Sequence, residues 1–139
     1  MATKLQTNKE VLCVSSGTAA IHLALILAGV QKGDFVVCQS FTYIATVNPI
    51  LYLGAIPIFI DSHPEIGNMD LDILNEAMQY LRQQGKNPKA IIVVNAYGIP
   101  SDINRLQSIA SEYTLKLIED SAESFGAKFQ GNYSGTQAD

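Results

Sequence analysis

Four short runs along the chain are apolar but for Lys116, and rich in β-branched residues: Phe35 to Cys38, Ile56 to Ile60, Ala90 to Val94 and Leu115 to Ile118. None alternates apolar with polar positions, and strands apolar at every position are those covered on both faces, the habit of parallel sheets. Val11 to Val14 reads as a fifth strand of the same kind. Between the runs lie stretches with helical spacing: Thr18 to Ala28, Ala45 to Leu53, Leu71 to Leu81, and Ile103 to Tyr113, where Ile103, Leu106, Ile109 and Ala110 share one face. The punctuation agrees. Asp70 and Asp102 are good N-caps, Gly29 and Gly33 follow the first helix, and Gly85 precedes the Asn87-Pro88 break. Strand and helix in alternation predict an α/β domain of three layers, α-β-α, around a mostly parallel sheet.

The first helix, Ala19-Ala20-Ile21-His22-Leu23-Ala24-Leu25-Ile26-Leu27-Ala28, is apolar nearly all round, which predicts a place inside the fold or inside an oligomer. His22 has no acid or nucleophile near it in sequence and reads as a core or interface histidine bonded to a backbone carbonyl.

Composition narrows the class. With 139 residues, 47% of them hydrophobic, and a mean hydropathy of +0.14, the chain can bury a core as one domain and is not disordered. Only 16% of residues are charged, against about 25% in ordinary soluble domains, so further chain or another subunit is expected to cover part of its surface. A net charge of -4 with no basic run excludes the electrostatic footprint of a nucleic-acid binder. No repeat or low-complexity tract appears, and the longest polar stretch, Arg82 to Lys89, is loop-sized. Cys13 and Cys38 sit in apolar surroundings without zinc-like spacing and read as small core residues in a reducing compartment. The opening ten residues are polar, unlike a secretory signal, and no apolar run is long enough to span a membrane, so a cytoplasmic protein is expected.

Ligands of open α/β sheets bind beyond the carboxyl ends of the strands. Three groups of residues there can do chemistry. Ser15-Ser16-Gly17-Thr18 leads into the first helix, where free N–H groups and the Gly17 gap suit a phosphate, although Ser16 as a plain helix cap accounts for the same residues. Phe41 and Tyr43 follow Cys38 and are either a stacking platform or ordinary buried aromatics. Glu119-Asp120-Ser121-Ala122-Glu123 follows Ile118. A strand-end acid there could keep a planar nitrogen base protonated, as an electron-sink cofactor requires, or Asp120 could serve a turn. All three groups fall at the same edge of one sheet.

In order and spacing, Val14-Ser15-Ser16-Gly17-Thr18-Ala19-Ala20, Ser40-Phe41-Thr42-Tyr43-Ile44-Ala45-Thr46, Gly54-Ala55-Ile56-Pro57-Ile58-Phe59-Ile60-Asp61, Tyr97-Gly98 and Ile118-Glu119-Asp120-Ser121-Ala122-Glu123 resemble successive motifs of the DegT/DnrJ/StrS-type sugar aminotransferases. The resemblance implies a pyridoxal 5′-phosphate enzyme of the aspartate-aminotransferase fold. By it, Gly17 and Thr18 bind the cofactor phosphate, Tyr43 stacks on the pyridine ring, Asp120 pairs with the ring nitrogen, and Glu123 falls beside the ring hydroxyl. The Glu at that last position is similar to members that aminate 4-keto-6-deoxy nucleotide sugars, with glutamate the implied amino donor and a homodimer the implied assembly. Gln39 stands where Pro is frequent, and Asn95-Ala96 where His-Leu is usual. The resemblance also implies that residues 1–139 are the front of the large cofactor-binding domain. The small C-terminal domain and the Schiff-base lysine are then expected outside the chain, the lysine past residue 139. The chain's seven lysines stand at positions unsuited to that role, so residues 1–139 alone are expected to be inactive. Two other readings compete: a non-covalent phosphate- or nucleotide-binding α/β module, and an inactive fragment.

Overall fold

The structure, a computed structural model, describes Thr7 and residues 9–139. Most of the polar opening segment, Lys4 included, lies outside the described residues.

Helix α1 spans Gly17–Leu27 and starts where the Ser16 hydroxyl accepts the Ala19 N–H at 3.1 Å, a cap worth about 1 kcal/mol. It closes at Gly29, whose N–H reaches Ile26 O while the Val30 N–H reaches Leu25 O; the φ of 76° at Gly29 permits both bonds. There follow β1 (Phe35–Gln39), a 3-10 turn (Ile44–Thr46), α2 (Asn48–Tyr52), β2 (Ile56–Ile60), α3 (Leu71–Gln83), β3 (Ala90–Val94), a second 3-10 turn (Ala96–Gly98), α4 (Ile103–Tyr113) and β4 (Lys116–Asp120). A small antiparallel hairpin, β5 (Lys128–Phe129) and β6 (Asn132–Tyr133), comes last. Asp70 caps α3 through the N–H groups of Asp72 and Ile73, and Asp102 caps α4 through that of Arg105.

The four main strands form one parallel sheet in the order β2-β1-β3-β4, with Phe35 opposite Ile56, Val36 opposite Ala90, and Ala90 opposite Lys116. Side chains alternate between the faces. Val37, Ile91, Val93 and Leu117 pack with Leu74 and Met78 of α3 and with Leu106 and Ile109 of α4. Val36, Cys38, Ala90 and Ile92 pack on the other side with Ile21 and Leu25 of α1 and Ile50 of α2. All five residues of β3 are buried, which is why its run carries no polar position. The three-layer parallel α/β architecture is therefore the one the pattern predicted.

Four expectations need correction. Val11–Val14 forms no strand: among the described residues it makes no ladder, and Val11, Leu12 and Val14 are exposed. An apolar run becomes a strand only when a neighbour takes up its N–H and C=O groups. Cys13 in that run is accordingly exposed, whereas Cys38 is buried and burial pushes its thiol up to about 12. The helix expected over Ala45–Leu53 breaks into the 3-10 turn and α2, because Pro49 has no N–H for a continuous helix and sits instead in the first turn of α2. Helix α1 puts Ile21 and Leu25 inside the fold, as expected, and leaves Ile26 and Leu27 on its surface, the part that the oligomer alternative addresses. His22 is half-buried and, among the described residues, bonds no backbone carbonyl; its ring meets Tyr52 edge-on with centroids 5.8 Å apart.

Candidate active site

From β1 the chain passes to β2 on one side, then returns to lay β3 on the other. Connections leaving in opposite directions open a crevice beyond the carboxyl ends of β1 and β3. That crevice measures about 520 Å³. Gly17, Thr18, Tyr43, Asp120 and Glu123, the five residues singled out from sequence, all line it, together with Phe41, Thr46 and Tyr97.

Each wall has a local cause. At the start of α1, Ser16 satisfies only the Ala19 N–H, and among the described residues the N–H groups of Gly17 and Thr18 have no protein partner. A Cβ on Gly17 would meet nothing within 4 Å, so the space over these donors is open. Two of the four N–H groups that every helix start leaves unpaired thus face a crevice at the positive end of the helix. Asp120 is the last residue of β4 and half-buried. Its Oδ2 accepts the Thr46 hydroxyl at 3.1 Å and its Oδ1 the Ala122 N–H at 3.2 Å. Thr46 is itself buried and shares a 2.9 Å hydroxyl contact with Thr42, so the carboxylate is held at both oxygens. Tyr43, just before the 3-10 turn, is 77% exposed. Glu123 is exposed, and its Oε2 accepts the Tyr97 N–H at 2.7 Å.

Three buried amides hold these walls, and sequence reasoning assigned none of them a role. The Gln39 side chain takes the Val94 N–H on Oε1 at 3.1 Å and donates Nε2 to Phe41 O at 2.8 Å, tying the exits of β1 and β3 together. Asn95 accepts the Ser101 N–H and gathers Glu119 and Ser134 around its Nδ2, each at 2.7 Å. Asn68 braces the second 3-10 turn through Ala96 N–H and Ile99 O. The signal for two of them was present: Gln39 and Asn95 each continue a fully apolar strand by one polar residue, where a buried amide has to satisfy backbone.

These groups fit an anionic, planar, nitrogen-bearing ligand such as pyridoxal phosphate. Free amide donors face one end of the crevice, a fixed carboxylate another, and the volume is that of a small-molecule site. Among the described residues no lysine or arginine lines it.

Comparison with known proteins agrees with this chemistry. The chain is 48% identical over 128 residues to a protein of Bacillus subtilis (strain 168) that carries the provisional name pyridoxal phosphate-dependent aminotransferase EpsN, covering 92% of this chain and 33% of that one. It is 42% identical over 126 residues to the GDP-perosamine synthase of Escherichia coli O157:H7, covering 91% and 33%. The crystal structure of the aminotransferase TlmJ from Streptoalloteichus hindustanus superposes with a TM-score of 0.89 at 31% identity, covering 99% of this chain and 36% of that one. The chain spans about a third of the length of the curated relatives it matches. Pyridoxal phosphate is the cofactor of this group of enzymes, as the name of the Bacillus relative records. With residues 1–139 matched throughout, the chain belongs to the DegT/DnrJ/EryC1/StrS aminotransferase family.

Proposed function

We propose that residues 1–139 form the front of the large domain of a pyridoxal phosphate-dependent aminotransferase, which moves an amino group from glutamate to a 4-keto-6-deoxy nucleotide sugar in glycan biosynthesis. The enzyme works in the cytoplasm as a homodimer, and its Schiff-base lysine lies past residue 139. The observation that supports this reading is the single crevice lined jointly by Gly17, Thr18, Tyr43, Asp120 and Glu123. When bound, pyridoxal phosphate supplies an aldehyde that exchanges amino groups and a pyridinium ring that delocalises an electron pair.

The chain's own residues do the rest. Gly17 and Thr18 donate their unpaired N–H groups to the phosphate, in line with the dipole of α1. Asp120 accepts a hydrogen bond from the protonated ring nitrogen and favours that protonated form by its charge. Thr46 and Ala122 keep the Asp120 carboxylate from rotating away. Tyr43 covers a ring face, and Glu123 keeps Oε1 available for the ring hydroxyl while Oε2 holds Tyr97.

The test is covalent mapping. Loaded with pyridoxal phosphate and reduced with borohydride, the protein carrying these residues labels stoichiometrically at one lysine past residue 139, and it releases 2-oxoglutarate from glutamate when given a 4-keto-6-deoxy nucleotide hexose. Stoichiometric labelling of a lysine within residues 1–139, or no amino transfer, contradicts the proposal.

A further inference from the structure

Tyr97 is a non-glycine residue in left-handed backbone, with φ 52° and ψ 28°, a conformation that persists only where the surroundings impose it. Here they do. Its own N–H is held by Glu123 Oε2 at 2.7 Å. The preceding Ala96 N–H is held by Asn68 Oδ1 at 3.0 Å, and the buried Asn68 reaches on to Ile99 O at 2.8 Å. Gly98 follows at φ 84°, so two successive residues keep a positive φ. The strain does not bury the side chain: Tyr97 is 75% exposed. Beside it, with centroids 6.1 Å apart and planes tilted by 40°, stands Phe41, which is 51% exposed. Behind Phe41 lies Gly67, where a Cβ would come within 3.4 Å of the ring edge. The backbone of Tyr97 is held, Gly67 backs the Phe41 ring, and both side chains are largely exposed parts of the crevice wall.

We propose that Tyr97 and Phe41 form the platform on which the acceptor sugar docks, taking a nucleoside-diphosphate hexose across the mouth of the crevice. The proposal rests on reading the crevice as the aminotransferase site. A hexose ring offers an apolar C–H face that an aromatic face covers well, and the edge of its hydroxyls stays in water. A dicarboxylate donor such as glutamate asks for the cationic fork of an arginine. Among the described residues the crevice has no arginine or lysine, so these two rings suit the uncharged hexose part of that substrate rather than its diphosphate or the carboxylates of the amino-acid donor.

The test sets stability against binding in Tyr97→Gly and Tyr97→Phe. Glycine relieves the left-handed strain, so Tyr97→Gly melts at or above the wild-type temperature. Titrated with GDP-mannose while saturated with pyridoxamine phosphate, the same variant binds the nucleotide sugar about five-fold or more weakly, while its affinity for pyridoxamine phosphate stays within about two-fold. Tyr97→Phe keeps the ring and stays within about two-fold on both ligands. A lower melting temperature for Tyr97→Gly would mean that Tyr97 serves the fold and would overturn the proposal. Unchanged GDP-mannose binding, an equal loss for pyridoxamine phosphate, or a wild type that binds pyridoxamine phosphate but not GDP-mannose would do the same. A wild type that fails to bind pyridoxamine phosphate would remove the cofactor reading itself, and this proposal with it.

Discussion

Asp120 has both carboxylate oxygens engaged, Oδ2 by the Thr46 hydroxyl and Oδ1 by the Ala122 N–H, yet it is only half-buried and pairs with no cation among the described residues. A carboxylate so placed contributes little to folding and is oriented for a ligand. Asp120→Asn preserves its shape and is expected to cost less than about 1 kcal/mol of stability, because an amide can still bond Thr46 and the site stays open to water. Its affinity for pyridoxamine phosphate is expected to fall about ten-fold or more, the scale of a charge-assisted hydrogen bond of about 1.5–3 kcal/mol. Urea unfolding and calorimetric titration of the same sample check both halves, and wild-type binding by the Asn variant contradicts the role. Asp120 was legible in the sequence because it stands, just after Glu119, as an acid beyond the end of an apolar run. Gln39 and Asn95 end their runs in the same way but drew attention only as departures from the family pattern. Their work lies across the sheet, from Gln39 to Val94 and from Asn95 to Glu119 and Ser134, and a linear sequence does not display those pairings.

At the scale of elements, hydropathy located every strand of the main sheet: the central β1 and β3 bury both faces and read as apolar runs, while the edge strands β2 and β4 keep enough apolar positions to show although Ile56, Phe59 and Lys116 are exposed. The same rule misled at Val11–Val14, whose backbone has no ladder partner among the described residues, and the spacing over Ala45–Leu53 took no account of Pro49. The β5–β6 hairpin left almost no trace, since its strands are two residues each and only the Gln130-Gly131 turn, with both residues at positive φ, marks it. The two cysteines report on these assignments. Cys38 lies wholly inside β1 with its thiol pushed up to about 12, so it stays neutral and shielded across the working pH range, whereas Cys13 is exposed on a segment with no ladder. A thiol-specific disulfide reagent at pH 8 is expected to titrate one thiol per folded chain and the second only in denaturant. Two protected thiols would place Val11–Val14 back in the core.

For the molecule as a whole, the apolar strands and alternating helices predicted the layered class, but the order β2-β1-β3-β4 came only with the structure. That order matters, because the reversal between β1 and β3 brings the α1 start, the Tyr43 loop and Asp120 around one space. The central claim is that this space takes the cofactor with its phosphate on the α1 start. The most direct measurement is a two-dimensional ¹⁵N–¹H amide spectrum of the 139-residue chain during titration with pyridoxamine phosphate, which has no aldehyde and so cannot condense with surface lysines. The account predicts saturable shifts, largest at the Gly17 and Thr18 amides and next at Ala122 and Tyr97, with inorganic phosphate reproducing only the first pair. Saturable shifts centred away from the crevice, or Gly17 and Thr18 amides that stay in place while pyridoxamine phosphate binds, would contradict it.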